Sequence, residues 1–294
     1  MRIFLLHRKL ATMNRSTESL LIRKLDVDLA GGFPRHWHGG DAFLSMYFNA
    51  LSMSFPVGEQ FFIDAVRAGV ALLPDTPEHA AVRQTVKDFA GQEATHRHLH
   101  HLYNLQLEQQ GLVNRWQHWA SRRVAITQKL KLHPRNLLAL TAAYEHITAV
   151  FADGTLRYDN WLAGAEPAMQ TLWRWHAAEE TEHKAVAFDL YQTLGGGYLR
   201  RVAWFTHVLL LFTLESTRQT ILNLHRDKSL FRARTGWSAL KFLFGRNGHV
   251  WRSVLPLLGY YRPGFHPNDH DNHYLAQRWL ENNSKHWRAI GPSK

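Results

Sequence analysis

Cysteine is absent from this 294-residue chain. That excludes disulfides, thiolate-bound zinc and cysteine-held iron–sulfur clusters, and leaves histidine, aspartate and glutamate as the available metal ligands. It also fits a cytoplasmic protein. Long apolar runs are missing too. The most apolar stretch, VAWFTHVLLLFTL from Val202 to Leu214, spans 13 residues and contains His207. A membrane-spanning helix needs ~20 predominantly apolar residues, so a buried or interfacial helix is expected there. No secretory leader is expected at MRIFLLHRKL, which has four apolar residues in a row and no small-residue cleavage site behind them. Met13 is an alternative start, which would leave residues 1–12 untranslated. Strand patterns are scarce, and apolar residues recur at helical spacing over long segments.

Acidic residues become rare toward the C-terminus. From Gly195 onward there are 15 Lys and Arg against 5 Asp and Glu, so that segment carries +10 of the chain's net +11. The first 194 residues are close to neutral. The pattern points to a neutral body with a basic appendage and excludes a protein built around nucleic acid. With 45% apolar residues, 11 Trp and 16 Phe, the chain can bury a substantial core.

The order of helices is readable from punctuation. After GGFPRHWHGGD a helix is expected from Asp41 to Ser54. Pro56 suits a first turn, so a new helix is expected from there to Leu73. In PDTPEH, Thr76 is the expected N-cap, with Pro77 behind it, of a long helix ended by Gly111. A basic helical crossover over Leu112–Leu132 follows. Pro134 opens the next helix, running at least to Asp153, and Pro167 opens another, which is expected to run to the glycines 195–197. Helix pair, long connection, helix pair is the connectivity of a ferritin-like four-helix bundle. The fold class expected is therefore all-α, with residues 1–40 as an arm, 41–197 as the bundle and 198–294 as a basic, aromatic-rich helical extension packed on it.

Two Glu-x-x-His pairs lie on these helices, Glu93 with His96 and Glu180 with His183. Residues three apart share a helix face, about 60° and ~4.5 Å apart, so each pair can reach one metal ion. Each pair is preceded by a glutamate in an apolar stretch. Glu59 is 34 residues before Glu93, and Glu145 is 35 before Glu180. Counted along an antiparallel hairpin, Glu59 and Glu93 fall at nearly the same depth. One glutamate from each of two helices, with Glu-x-x-His from each of the other two, is the ligand set of dinuclear carboxylate bundles. Glu59, Glu93, His96, Glu145, Glu180 and His183 are thus the expected ligands of two metal ions, with iron favoured and manganese the alternative.

His100, Tyr144 and Glu179 are candidates to support those ligands, although a core or surface place for His100 and a solvated place for Glu179 are the simpler readings. His98 and His101 point away by helical phase, and His146 is rotated off the face of Glu145. The loop histidines of RHWHGGD and HPNDHDNH have no fixed helical geometry to make them ligands. Phe61, Phe62, Phe151 and Trp173 are core or substrate-wall aromatics.

The motifs FPVGEQFF, QEATHRHLH, LTAAYEHITAV, EETEHKAVAFD and YYRPGFHPNDHD resemble the bacterial family described as predicted metal-dependent hydrolases, a ferritin-like group, over about Phe33 to Asp271. The resemblance implies the same six ligand positions and offers hydrolysis as the activity. The ligand set, read by itself, favours O2-dependent di-iron oxidation of an apolar small molecule, by hydroxylation or desaturation with an electron donor. Metal-dependent hydrolysis is the alternative, and a ferroxidase-type or non-catalytic metal-binding protein a further one. A homodimer is compatible with all three.

The C-terminal third mixes Phe231, Trp237, Leu240, Phe242, Leu243 and Trp251 with Arg232, Arg234, Lys241, Arg246 and Arg252. Packing of these aromatics across the bundle is the first expectation. The second is a peripheral helix on an anionic membrane surface, on the inner face of the membrane.

Overall fold

The computed structural model describes residues 20–290. The readings of Met13 and residues 1–12 fall outside that range. Four long segments build the core: α1 (Ala42–Val70), α2 (Ala80–Gln109), α4 (Pro134–Arg157) and α5 (Pro167–His183), the last continued by α6 (Val186–Thr193). The crossover contains α3 (Arg115–Lys129). α1 packs along α2, α4 packs along α5 and α6, and α1 meets α4 between the pairs. The protein is an all-α helical bundle.

Local chemistry sets the helix starts. Asp41 caps α1 by accepting from the Leu44 amide, and Asn114 caps α3 through the Gln117 amide. Pro134 and Pro167 sit in the first turns of α4 and α5, where no amide is needed. Thr76 is not the N-cap of α2 as expected: its side chain makes no cap bond, and a single 3₁₀ turn, Pro77–His79, comes before the helix.

Two further boundaries differ from the sequence reading. Pro56 does not start a new helix but lies inside the continuous α1. A mid-helix proline lacks an N–H and crowds the carbonyl four residues back, here that of Ser52. Asn104 Nδ2 donates to the Ser52 carbonyl at 3.0 Å, and Asn114 Nδ2 to that of Met53 at 2.9 Å. Side chains from outside α1 thus replace what the proline removes. Conversely, the expected helix from Pro167 to the glycines breaks after His183. At the break the buried Lys184 donates to the His270 carbonyl at 2.8 Å and to Asn272 Oδ1 at 2.5 Å. Burial pulls its pKa down to about 8.

The last third is built into the bundle. α7 (Tyr198–Arg226) packs on α1 and α4, α8 (Ala233–Phe244) on α1, α9 (His249–Gly259) on α4, and α10 (His273–Asn282) on α5. Strands β1 (Arg23–Leu25) and β2 (Trp287–Ala289) pair antiparallel, Lys24 opposite Arg288. The apolar segment Val202–Leu214 lies in α7. No helix among the described residues is long and apolar enough to cross a membrane.

Packing accounts for part of the C-terminal aromatic set. Phe242 is buried against Phe43, Tyr47, Phe48 and Trp161, and Leu243 packs beside it. Phe231, Trp237, Leu240 and Trp251 remain exposed, because the faces carrying them turn away from the bundle.

Candidate metal centre

The six sequence-derived ligand positions come together at one level of the bundle. Donor atoms of Glu59, Glu93 and His96 lie within 4.8 Å of one another, as do those of Glu93, Glu180 and His183. Glu145 joins them, 3.6 Å from His183 Nε2. All six are buried.

Hydrogen bonds from behind orient both histidines. Gln92 Nε2 donates to the Leu21 carbonyl and to Glu182, so its Oε1 is free to accept from His183 Nδ1 at 2.9 Å. The neutral His183 ring then carries a bare Nε2, which faces Glu93 at 3.2 Å and Glu145 and Glu180 at 3.6 Å. On the other side, His96 Nε2 donates to Glu179 Oε2 at 2.9 Å, which leaves its Nδ1 bare and 3.6 Å from Glu180 Oε1. An outer N–H held by a carboxylate or amide, with the inner nitrogen turned to a cluster of carboxylates, is the arrangement of metal-ligating histidine.

Unpaired atoms identify what the cluster lacks. Both oxygens of Glu59, Glu93 and Glu145, Glu180 Oε2, His96 Nδ1 and His183 Nε2 are buried without a hydrogen-bond partner. Buried carboxylates cost several kcal/mol unless paired or bound to metal. A donor set of oxygens and imidazole nitrogens, all turned inward, fits divalent cations.

In the metal-free protein, protons take the place of the cations. Burial, with Glu93 adding to it, pushes Glu59 well above the usual carboxylate range, and burial with Glu180 does the same to Glu145. Burial opposes charge on the histidines, but the surrounding carboxylates win. Glu179 and Glu180 lift His96 to about 10, and Glu180 lifts His183 well above its ordinary value. For Glu180, burial is outweighed by the nearby His183, with His176 and His96 adding to it, and these hold its carboxyl well below the usual range.

The supporting residues sort differently from the sequence reading. Glu179 is buried, not solvated: it accepts from His96 and, at 3.1 Å, from Arg23 Nη1. Arg23 comes from β1, far away in sequence, and also grips Glu182 through both terminal nitrogens at 2.7 and 3.0 Å. Its strand lies tight on α2, since a Cβ on Gly91 would stand 2.2 Å from Ile22 Cδ1. Arg23→Ala leaves Glu179 buried without its counter-charge, and a cost of ~3 kcal/mol or more is expected, read as a lower midpoint in urea unfolding.

His100 is buried and hydrogen-bonded to His176, and so does line the centre. His176 was missed as a site residue, although its place four residues before Glu180 puts it on the same helix face. Tyr144 supports none of the ligands. It packs tilted against Phe62, meets Phe212, and lines a smaller cavity of about 130 Å³ near the Arg123–Glu215 pair, because it stands about 100° around the helix from Glu145. Phe61 and Phe62 line the same cavity. His98 and His101 are exposed, and His146 Nε2 donates to the Pro256 carbonyl, off the cluster. The loop histidines serve structure: His36 meets Asp227, His38 the Trp161 carbonyl, His266 Asp189, His270 Asp153 and His273 Asn268.

A larger cavity of about 490 Å³, which shares Phe55, Thr148 and Phe212 with the first, reaches the centre at His176 and Glu180. His176, Ala177 and Glu180 form its floor, Phe55, Phe151 and Trp173 its inner walls, and Leu209, Phe212, Val254 and Leu257 its outer part. Its lining is overwhelmingly apolar.

Residues 22–271 match the family model described as predicted metal-dependent hydrolase. The match spans most of the chain, which therefore belongs to this metal-dependent family. No curated protein and no solved structure matches it. Membership corrects the expectation of an O2-dependent di-iron oxidoreductase, since the family is one of hydrolases and no comparison supports oxidation. The physical reason is that the inference went from ligand type to redox chemistry. Glutamate and histidine bind redox-inert divalent ions as well as iron, so the donor set alone does not choose the reaction.

Proposed function

We propose, with family membership as the premise, that this protein is a metal-dependent hydrolase that cleaves an ester- or amide-type bond in an amphiphilic substrate. Glu59, Glu93, His96, Glu145, Glu180 and His183 would hold two divalent cations. When bound, these supply Lewis acidity and a hydroxide nucleophile at neutral pH. The observation that carries the substrate class is the apolar cavity ending on Glu180 and His176. Its volume is in the range of small-molecule sites, and its walls offer an acyl or aryl chain an environment that excludes water. Phe151, Trp173 and Phe212 would bind the chain and direct the scissile group toward the carboxylates at the floor. Gln92 and Glu179 keep the two ligand histidines turned inward throughout.

The test is a series of 4-nitrophenyl esters of rising acyl length with protein loaded separately with zinc, manganese or iron. kcat/KM is expected to rise with chain length until the cavity is filled. Ala177→Leu, which fills the floor, is expected to lower kcat/KM for the longer esters by roughly tenfold, the scale of one or two misfitted methylenes, while metal content stays the same. A flat profile would remove the apolar-chain substrate, and no hydrolysis of any ester in all three metal forms would remove the hydrolase reading.

The outer surface supports a membrane source for such a substrate. From Lys228 to Asn268 the sequence has seven Lys and Arg and no Asp or Glu. On α8 and α9, and in the loop before α8, Phe231 is 93% exposed, Leu255 76%, Trp237 70% and Trp251 61%. α9 also lines the outer part of the cavity through Val254, Leu257 and Leu258. Exposed apolar side chains amid an excess of cations, of which Arg262 is paired with Asp269, match an anionic lipid surface, where the former dip and the latter reach phosphates. Sedimentation with phosphatidylglycerol vesicles is expected at low salt and to weaken at high salt. Trp251→Glu with Leu255→Glu is expected to abolish it. Equal sedimentation of the double variant would exclude this face, and no sedimentation of the wild type would exclude a lipid surface.

A further inference from the structure

Beside the metal centre runs a polar chain that the six-ligand arrangement does not use. It runs from α2 and α1 to α5 through Asn104, Ser52, His100 and His176, all buried. Its hydrogens can be followed in one direction. Asn104 Nδ2 donates to the Ser52 carbonyl at 3.0 Å, so Asn104 Oδ1 is the acceptor that faces the Ser52 hydroxyl at 2.9 Å. With that hydrogen used, Ser52 Oγ accepts from His100 Nδ1 at 2.9 Å. His100 Nε2 is then bare and accepts from His176 Nδ1 at 2.7 Å. The last nitrogen, His176 Nε2, is left without a hydrogen in the neutral ring and stands 2.9 Å from Glu180 Oε1.

A lone pair aimed at a carboxylate oxygen is repulsive unless something positive lies between or beside them. The same need for a positive charge, met by protons in the metal-free protein, appears at His96 Nδ1 and His183 Nε2, each 3.6 Å from that same oxygen. The His96 and His176 rings are also stacked, with centroids 4.3 Å apart and planes 21° apart, so their inner nitrogens approach the carboxylate from one side. Donor atoms of His96, His176 and Glu180 fall within 4.8 Å of one another, the same closeness that joins Glu59, Glu93 and His96, and Glu93, Glu180 and His183. On α5, residues 176, 180 and 183 follow one helix face.

We infer that His176 is a seventh ligand of the metal centre, binding through Nε2 to the ion shared with His96, and that His100 and Ser52 are positioning residues that fix its tautomer. This rests on the reading that the cluster binds metal. It makes the centre asymmetric: one ion has two imidazoles, and the ion beside His183 has one. The competing arrangement is a protonated His176 that pairs with Glu180 and binds nothing.

Cobalt(II) is the probe. The full chain is stripped, titrated with cobalt and counted by elemental analysis, and the bound ions are examined by X-ray absorption for imidazole scattering. Three imidazoles shared by two ions are expected. His176→Gln, which keeps a polar side chain in place, is expected to weaken binding of one cobalt at least tenfold and to change its visible d–d spectrum. His100→Ala is expected to weaken the same ion about tenfold, the scale for loss of a group behind a ligand. In His176→Ala, added imidazole is expected to bring the spectrum back. Two imidazoles in the wild type, with unchanged affinity and spectrum in His176→Gln, would overturn the inference and leave the ion pair. A wild type that takes up no cobalt would overturn the metal centre itself, a result separable from the first because it appears without any substitution.

Discussion

Glu93→Ala is expected to empty both metal positions, whereas His183→Ala empties one. The difference follows from the geometry. Glu93 belongs to the group with Glu59 and His96 and also to the group with Glu180 and His183, while His183 belongs to the second alone. Removing Glu93 would take an oxygen donor from each group at once. Metal per chain after growth with zinc, manganese or iron is therefore expected to fall from two toward none in Glu93→Ala, and from two toward one in His183→Ala. Glu93→Gln keeps the shape and separates loss of charge from loss of packing. Wild-type occupancy in both Glu93→Ala and His183→Ala would refute the ligand assignment.

Removal of metal is expected to lower the unfolding midpoint, by an amount that grows with pH. A ligand that binds only the folded chain, present at about a thousand times its Kd, stabilises by about 4 kcal/mol. For a chain of this size that corresponds to roughly 8–16 °C. The sign of the pH effect comes from the protons held in the metal-free cluster. His96 and His183 have folded pKa values above the unfolded one. Their stabilisation is complete below the unfolded value near 6.5 and declines as pH rises toward the folded values. Glu180 is depressed and His176 is lowered to about 4, so neither changes its charge difference between pH 7 and 8. Over that window the metal-free protein loses stability. The same rise in pH frees the ligands for metal and strengthens binding. Thermal unfolding with and without a chelator, at pH 6.5, 7.2 and 8, measures the widening gap. A constant midpoint after verified metal removal would show that the cluster is not a metal site coupled to folding.

The helix order and the ligand set were legible in the sequence because both rest on spacing. A three-residue step on a helix and two nearly equal separations along hairpins are geometric facts before any tertiary contact forms. For the same reason His176 was within reach of the sequence, as the residue one turn before Glu180. What stayed hidden was whatever depends on groups from elsewhere in the chain. Pro56 reads as a break until Asn104 and Asn114 arrive to take the carbonyls it exposes. Glu179 reads as solvated until Arg23, from a strand outside the bundle, covers it. Tyr144 reads as a neighbour of the centre because it adjoins Glu145, yet one residue of helical rotation sends it to another cavity.

By itself, then, the amino-acid sequence determined an all-α bundle, its punctuation by Asp41, Pro134 and Pro167, and six donors at matched depth, since local propensity and helical periodicity act within single segments. Only the tertiary structure decided which nitrogen of each histidine faces the cluster, that an apolar cavity ends on Glu180, and that Trp237 and Trp251 stay outside while Phe242 goes in. Those outcomes depend on hydrogen-bond partners and packing surfaces brought together across the chain, and a burial or tautomer exists only once both sides of the contact are in place.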